Sequence, residues 1–172
     1  MRYYIIGAAK SGIAAAKLAI KNGCEVFLSE SQPASKYQDA IIELQNMGCS
    51  YEFGGNTATA LESCDCVIVS PGVPPHAPII QQIRKMSLPI ISELEFAYRY
   101  ITNPIVAITG TNGKTTTTTL IHHVLKQSGL KSIVAGNIGT PLSDFVGRVS
   151  PDTYLVVEVS SYQLEYIDKF RP

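Results

Sequence analysis

Short apolar runs alternate with helix-periodic segments from the first residues of the chain, and this alternation most restricts the folds that it can adopt. Strands are predicted at residues 3–6, 25–28, 51–53, 66–69 and 88–91, and helices at 13–21, 37–47, 79–86 and 93–100. Strands that alternate with helices in this way usually pair in parallel, because each helix returns the chain to the start of the next strand. The sequence therefore predicts an α/β fold that begins with a Rossmann-like parallel sheet.

The pattern stops and starts again at the segment "ITNP". Pro104 restricts Asn103 to extended backbone, which marks a boundary between two units. We therefore predict a first domain at residues 1–102 and a second at 103–172. The second contains predicted strands at 105–109, 132–135 and 154–159 and one helix at 116–126. Because so few elements make a poor sheet domain, we expect these residues to be the first part of a larger α/β domain.

The helix at 116–126 is predicted in spite of its composition. It starts within five consecutive threonines, 115–119, and β-branched side chains lose rotamer freedom in a helix. Apolar residues nevertheless recur behind them at helical spacing, namely Leu120, Ile121, Val124 and Leu125. We expect burial of this apolar face to outweigh the low helix propensity of the threonines.

Charge and cysteine content exclude several classes of protein. The 172 residues include 14 basic and 14 acidic side chains, with no basic run that could neutralise a nucleic-acid backbone. The apolar run at 3–9 ends at Lys10, and no later stretch is long enough to span a bilayer. The four cysteines match no zinc or redox spacing, as is typical of free thiols in a reducing compartment. We expect a cytoplasmic protein without nucleic-acid or membrane partners, whose oligomeric state the sequence does not indicate.

The segment "IIGAAKSG" joins the first strand to the first helix. Gly7 can make a tight turn, while Lys10 and Ser11 present backbone N–H groups at a helix N-terminus, where anions are favoured. Against the dinucleotide fingerprint GxGxxG, Gly7 and Gly12 match, but Ala9 replaces the glycine that lets the backbone approach a pyrophosphate. The loop therefore predicts either a nucleotide-binding turn or a plain βαβ turn.

Two further segments should lie at the same carboxyl edge of the sheet. Glu30 ends the second strand and follows Gly12 by 18 residues, close to the spacing of a carboxylate that binds ribose hydroxyls. Gly72 lies in the proline-rich loop "SPGVPP", whose backbone could meet a phosphate or a sugar. A rigid turn without a ligand is an equally good interpretation of this loop.

The second glycine loop, at 108–116, is the stronger signal. In the P-loop pattern GxxxxGK[ST], Gly113, Lys114 and Thr115 fill the last three positions, while the first glycine is displaced to Gly110. Loop amides wrap the phosphates, the lysine neutralises their oxygens, and the hydroxyl binds Mg²⁺. The predicted domain is thus an incomplete P-loop α/β domain. The predicted ATP-binding residues are Gly110, Thr111, Asn112, Gly113, Lys114, Thr115 and Thr116.

A carboxylate in the last strand completes this hypothesis. In "YLVVEVSS", Glu158 lies in a strand that is otherwise apolar, and an unpaired charge there would be costly. We predict that Glu158 and Thr115 share a magnesium ion, with a salt bridge to an arginine as the alternative. Asn137, in the loop "GNIG", could reach the same cavity or could simply cap its loop.

Several segments together resemble the Mur ligases of peptidoglycan synthesis, and within that family the members that add D-glutamate. They are "GAAKSGIAAAKL", "SPGVPPHAPII", "ISELEFAYRY", "ITGTNGKTTTTTL", "GNIGTPL" and "VVEVSSYQLE", in the same order along nearly the whole chain. The resemblance implies an ATP- and Mg²⁺-dependent, ADP-forming ligase that joins D-glutamate to UDP-N-acetylmuramoyl-L-alanine through an acyl phosphate.

The resemblance also implies roles for individual residues. Lys114 and Glu158 would be catalytic, and Thr115 and Glu158 would hold Mg²⁺. The UDP-sugar substrate would be held by Lys10, Ser11, Glu30, Ser31, Gly72 and Asn137. The D-glutamate site would lie in a carboxy-terminal domain that the 172 residues do not contain, so we expect this chain to be inactive alone.

The chain departs from the family pattern in its first loop. Ala9 stands where a glycine is common and Glu30 where an aspartate is common, and the family's later histidine and carboxylated lysine have no counterpart. Three alternatives therefore stay open: another Mur or folylpolyglutamate-type ligase, an NAD-dependent oxidoreductase that uses only the first loop, and a noncatalytic nucleotide-binding module.

Overall fold

A computed structural model describes residues 1–57 and 59–172 as an α/β protein with two parallel sheets. The first sheet has five strands in the order β3-β2-β1-β4-β5. Its strands are Arg2–Ile6 (β1), Glu25–Glu30 (β2), Ser50–Phe53 (β3), Cys66–Val69 (β4) and Ile90–Ser92 (β5). The helices are Lys10–Lys21 (α1), Gln38–Asn46 (α2), Pro78–Lys85 (α3) and Glu93–Tyr98 (α4), with a 3-10 turn at Ala34–Lys36. The predicted α/β class and parallel sheet are confirmed.

Both faces of the first sheet are buried, as the apolar strands predict. Because side chains alternate along a strand, Tyr3 and Ile5 pack into the core beneath α1, whereas Tyr4 and Ile6 pack into the core beneath α3. Phe96 of α4 joins the first of these cores, where its ring meets Tyr3 edge-to-face at 5.1 Å between centroids. Helices on both faces thus fix β1 at the centre of the sheet.

The chain reverses its direction of travel across the sheet at β1. It passes from β1 to β2 and β3 on one side and then returns to β4 and β5 on the other. At such a switch point the loops at the carboxyl ends of the strands diverge and leave a crevice that commonly binds ligands. Gly12 is required here, because a Cβ at that position would lie 1.8 Å from the carbonyl oxygen of Gly7.

The second sheet contains three parallel strands in the order β6-β8-β7. They are Ile105–Ile108 (β6), Ser132–Gly136 (β7) and Tyr154–Glu158 (β8). The helices are Lys114–Gln127 (α5) and Ser161–Leu164 (α6), and a 3-10 turn spans Leu142–Phe145. The predicted strands and helix are confirmed. The helix α5 begins two residues earlier than predicted, because Gly113 caps it in the left-handed conformation at φ +76°.

The prediction that α5 buries its apolar face is confirmed only in part, since Ile121 and Leu125 are half-buried whereas Leu120 and Val124 are not. Leu120 is 58% exposed and Val124 is 53% exposed, and Thr118 is the buried residue of this helix. The threonine hydroxyls donate back to the helix itself, from Thr118 to the Lys114 carbonyl at 2.8 Å and from Thr119 to the Thr115 carbonyl at 2.9 Å. These bonds satisfy the hydroxyls locally, so the run of threonines is compatible with a helix that buries only part of its apolar face.

Helix α4 packs against elements of both sheets. Leu94 and Ala97 share a core with Leu142 and Leu155, although the same helix also contributes Phe96 to the first core. The division of the chain at residue 102 remains a prediction, since α4 precedes that point in sequence and yet contributes to both cores.

Three buried polar contacts join α4 and the end of β5 to the second sheet. Glu95 accepts hydrogen bonds from three consecutive backbone N–H groups, at 2.9–3.0 Å, from residues 168–170. Glu93 accepts one from the Ser143 N–H at 2.7 Å, and the Ser92 N–H donates to the Tyr166 carbonyl at 2.9 Å. Backbone and carboxylate contacts therefore tie the two sheets together through one helix.

Within residues 1–57 and 59–172, no helix is both long and apolar enough to cross a bilayer. The four cysteines are free thiols, as their spacing predicts. Burial raises the pKa of the Cys49 and Cys66 thiols to about 11, so both are protonated at neutral pH.

Candidate active site

The phosphate loop connects β6 to α5. Gly110 and Gly113 both have positive φ, at +149° and +76°, which turns the backbone so that the loop can wrap around an anion. Nothing lies within 4 Å of a Cβ built on Gly113, so glycine is required there by conformation and not by crowding. The Lys114 ammonium donates to the Gly110 carbonyl at 2.7 Å and to the Thr111 carbonyl at 3.3 Å. The lysine is therefore held over the loop in which phosphate oxygens would lie.

Glu158 lies beside this loop because β8 is the central strand of its sheet. Its carboxylate is 2% exposed and accepts a hydrogen bond from the Thr115 hydroxyl at 2.7 Å. Its other oxygen accepts from the side-chain amide of Asn137 at 3.2 Å. The structure thus brings together Thr115, Asn137 and Glu158, which come from three separate segments of the sequence.

Gly136 makes the approach of Asn137 possible. It pairs in register with Glu158, and a Cβ there would lie 2.3 Å from the Glu158 carbonyl oxygen. Its φ of +102° also belongs to the region that favours glycine. The chain turns directly after it, and the Asn137 N–H donates to that same carbonyl at 2.8 Å.

The donors around Glu158 suit a magnesium ion. Mg²⁺ prefers oxygen ligands and usually takes one or two from the protein and the rest from water and phosphate. The Thr115 hydroxyl and the Glu158 carboxylate, already in contact, could provide the protein's share. No cluster of three or more His, Cys, Asp or Glu side chains is found in the described part of the chain, so a cation here would depend on phosphate oxygens.

The alternative role of Glu158, a salt bridge to an arginine, is not observed. Among the residues that the structure describes, the ion pairs join other side chains, and Glu158 contacts the hydroxyl of Thr115 and the amide of Asn137 instead. A buried carboxylate with only neutral donors is a favourable cation ligand.

A cavity of about 750 Å³ lies at the carboxyl edge of the first sheet. Its size suits a nucleotide-sized ligand. Five of the predicted substrate residues line it, namely Ser11, Glu30, Ser31, Gly72 and Asn137. Asn137 comes from the second sheet, so the cavity extends from the first loop toward the site around Glu158.

Lys10 is placed differently from the other predicted substrate residues. Its side chain lines a neighbouring recess of about 730 Å³, together with Lys36 and Thr140. Tyr37 borders both spaces. The assignment of Lys10 to the substrate remains a prediction, and the structure does not place it on the wall of the main cavity.

The Glu30 carboxylate is engaged by neighbouring backbone. One oxygen accepts from the Ala8 N–H at 2.9 Å, and the other accepts from the Gln32 N–H at 2.8 Å and from the Ser31 hydroxyl at 3.3 Å. Glu30 therefore fastens the first glycine loop to the segment after β2. The Ala8 amide is consequently unavailable to a pyrophosphate. Together with the Ala9 methyl group, this contact argues against dinucleotide binding in the Rossmann manner.

A network of polar side chains next to the cavity was not predicted from the sequence. Glu52 accepts hydrogen bonds from the Ser29 hydroxyl at 2.7 Å, from the Thr57 N–H at 2.8 Å and from the Tyr4 hydroxyl at 3.2 Å. Although burial raises the pKa of Glu52, the bonds from Thr57, Ser29 and Tyr4 outweigh it and lower this pKa below its ordinary value. Asn56, which lines the cavity, donates to Ser29 at 2.6 Å. Asn56 follows β3 at the carboxyl edge of the sheet, a position that could have revealed it.

Comparison with protein families agrees with both halves of this site. The model of the "Mur ligase MurD-like, N-terminal domain" matches residues 1–92, and that of the "Mur ligase middle domain" matches residues 108–171. This chain belongs to the Mur ligase family. Mur ligases are ATP-dependent amide ligases, so the family agrees with the chemistry expected of the phosphate loop.

Two curated relatives carry the same name. The UDP-N-acetylmuramoylalanine--D-glutamate ligase of Salinibacter ruber is 48% identical over 176 residues, which is 99% of this Mur ligase chain and 38% of that protein. The enzyme of the same name from Syntrophus aciditrophicus is 44% identical over 170 residues, covering 98% of the chain and 38% of the relative. The chain thus spans about 38% of the length of these relatives.

Solved structures of Mur ligases share the fold. UDP-N-acetylmuramate-alanine ligase MurC from Thermotoga maritima superposes with a TM-score of 0.54 at 23% identity, over 96% of this chain and 39% of that one. A UDP-N-acetylmuramate:L-alanyl-gamma-D-glutamyl-meso-diaminopimelate ligase from Neisseria superposes with a TM-score of 0.55 at 20% identity, over 91% and 52%. At these identities the likeness supports the architecture of the two sheets.

Proposed function

We propose that this chain provides the nucleotide-substrate site and the ATP phosphate site of an ADP-forming ligase that joins D-glutamate to UDP-N-acetylmuramoyl-L-alanine. The observation that carries the proposal is the 2.7 Å contact between Thr115 and Glu158, which pairs a P-loop hydroxyl with a buried carboxylate. The names of relatives at 44–48% identity supply the substrates. Because the proposed substrates are ATP and a nucleotide sugar, the proposal includes a cytoplasmic location.

We assign residues 1–102 to the nucleotide-sugar substrate and residues 103–172 to ATP. The cavity supports this assignment, because four of the predicted substrate residues that line it belong to residues 1–102, namely Ser11, Glu30, Ser31 and Gly72. Asn137 lines the same cavity and also donates to Glu158. An asparagine in that position would place the reacting end of the substrate next to the phosphate loop.

The proposed reaction has two steps. A carboxylate oxygen of the muramoyl substrate forms a bond to the γ-phosphorus of ATP, and the bond to the bridging oxygen breaks to give an acyl phosphate and ADP. The amine nitrogen of D-glutamate then bonds to the acyl carbon, phosphate leaves, and the nitrogen loses a proton. The product is an amide.

The residues of this chain would act in the first step by position and charge. Phosphoryl transfer needs in-line placement and neutralisation of the oxygens on the transferred group. The ammonium of Lys114 and the loop amides of Gly110–Gly113 are placed to neutralise them. Thr115 and Glu158 would hold Mg²⁺, which when bound supplies further positive charge to the phosphates.

Calorimetric binding of MgATP and of UDP to the 172-residue chain tests the proposal. Lys114→Ala should weaken MgATP binding at least about tenfold, because a charge-assisted contact to phosphate is lost. It should leave UDP binding unchanged. Lys126→Ala, at an exposed lysine further along the same helix, is the matched control and should change neither affinity. Equal MgATP affinity in the Lys114→Ala and unmodified chains would contradict the assignment of the loop.

A further inference from the structure

Asn56 lines the main cavity, and its side-chain amide is hydrogen-bonded to Ser29. Its Nδ2 donates one hydrogen to the Ser29 hydroxyl at 2.6 Å, and that hydroxyl donates its own hydrogen to Glu52 at 2.7 Å. Ser29 is fully buried, and Glu52 also accepts both the N–H and the hydroxyl of Thr57, at 2.8 and 2.6 Å. A carboxylate with these donors is an acceptor only.

This chain of hydrogen bonds fixes which way the amide points. Since the Ser29 hydrogen is directed to Glu52, Ser29 can only accept from Asn56, so the NH₂ group and not the carbonyl must face Ser29. The NH₂ group has two hydrogens, and one of them is used. The rest of the amide, in a residue that lines the cavity, therefore offers one carbonyl acceptor and one N–H donor, side by side and in a set order.

An acceptor beside a donor is the pattern that an asparagine uses to pair with the edge of a nucleobase. Gln32, Gln82 and Asn137 also line the cavity and carry carboxamides, but the Gln32 carbonyl accepts from the Lys36 ammonium at 3.0 Å and the Asn137 amide donates to Glu158 at 3.2 Å. The Glu30 carboxylate is already occupied by two backbone N–H groups and the Ser31 hydroxyl. Asn56 differs from these in that Ser29, a hydroxyl that itself donates to the Glu52 carboxylate, determines which way its amide points.

We propose that Asn56 determines base specificity by pairing with the imide edge of a uracil, where a ring N–H lies next to a carbonyl. This inference rests on the proposed nucleotide substrate and adds a residue that reads its base. The Asn56 carbonyl accepts from the ring N–H, and the free amide hydrogen donates to the base carbonyl. Ser29 and Glu52 are positioning residues, because they act through Asn56.

Cytosine offers the opposite order on the same edge, with a ring nitrogen acceptor beside an amino donor. To pair with it, the Asn56 amide would have to turn over, and its carbonyl would then face the oxygen of Ser29. Ser29 could satisfy that carbonyl only by withdrawing its hydrogen from Glu52. A cytosine nucleotide should therefore bind about ten- to a hundredfold more weakly than its uracil counterpart.

Calorimetric titration of the 172-residue chain with UDP, CDP and N3-methyl-UDP tests the inference. The unmodified chain should prefer UDP to CDP by about tenfold or more, and N3-methylation should abolish most of that advantage. Asn56→Ala should bind UDP and CDP within about twofold of each other. Ser29→Ala keeps Asn56 but frees its amide to turn, so CDP affinity should rise toward that of UDP.

The outcomes separate this inference from the proposed function. UDP binding that keeps its full preference over CDP in both Asn56→Ala and Ser29→Ala would overturn the role of Asn56 and leave the nucleotide substrate intact. No binding of UDP to the unmodified chain would overturn both. Thermal unfolding of each variant checks that the sheet is intact, and Thr57→Ser, which keeps the hydroxyl bond to Glu52, is the matched control that should retain the preference.

Discussion

Replacing Glu93 by glutamine should stabilise the protein, and more so as the pH rises. Glu93 is 1% exposed at the contact between α4 and the 3-10 turn at Leu142–Phe145, and one of its oxygens has no hydrogen-bond partner among the described residues. Burial raises its pKa to about 7, the Ser143 N–H bond partly offsets that rise, and the nearby Asp144 charge adds to it. At neutral pH and above, the folded protein therefore carries a buried charge that is poorly compensated.

The sign and size of the stability change follow from the linkage between protonation of Glu93 and folding. A carboxyl with an ordinary pKa of 4.5 and a folded-state pKa of about 7 contributes stability that is complete below pH 4.5 and is lost as the pH rises through 7. Relative to low pH, where Glu93 is protonated, the free energy of unfolding is lower by about 3 kcal/mol at pH 8 and by about 1 kcal/mol at pH 5. Glutamine has the same shape and no charge, and its carbonyl can still accept from the Ser143 N–H.

Urea unfolding of both proteins from pH 5 to pH 8 measures the effect. We expect the stability gain of Glu93→Gln to grow by about 2 kcal/mol across that range. The control is Glu95→Gln on the same helix. Glu95 is also buried, but hydrogen bonds from Asp168–Phe170 and Arg99 outweigh burial and lower its pKa, so this variant should be destabilised instead. A gain for Glu93→Gln that is the same at pH 5 and pH 8 would refute the reasoning.

Two further predictions concern the site itself. Gly136→Ala should destabilise the fold by more than about 2 kcal/mol, because its Cβ would collide with the Glu158 carbonyl. Gly48→Ala, at a similarly positive φ of +65° but in open space, should cost only about 1 kcal/mol, and equal losses in urea unfolding would contradict the steric argument. Glu158→Gln should remove most of the magnesium dependence of ATP binding in calorimetry with and without Mg²⁺. A variant whose ATP affinity still rises with Mg²⁺ as in the unmodified chain would exclude Glu158 as a ligand.

Local sequence signals predicted the strands and the phosphate loop well. Short apolar runs that alternate with helix-periodic segments located the strands, and the order of Gly113, Lys114 and Thr115 between a strand and a helix located the loop. The neighbourhood of Glu158 followed from the same logic, because the carboxyl ends of parallel strands share one edge of the sheet. These features depend on residues close in sequence or on a general rule of topology.

Contacts between distant segments could not be predicted in this way. The apolar spacing of Leu120 and Val124 indicates a helix correctly, but spacing does not reveal whether a partner covers that face. Glu93 and Glu95 look like ordinary surface charges at the start of a helix, and only the fold shows that both are buried against the second sheet. The orientation of Asn56 depends on Ser29, 27 residues earlier in the chain.

The grip of Glu95 on three successive backbone amides has a consequence for the ligands that the protein can accept. It anchors the segment that follows α6 to the helix that also packs on the first sheet, so the separation between Asn56 and Asn137, which both line the cavity, is set before any ligand arrives. A ligand that must contact both asparagines is therefore accepted only if its length matches that fixed separation.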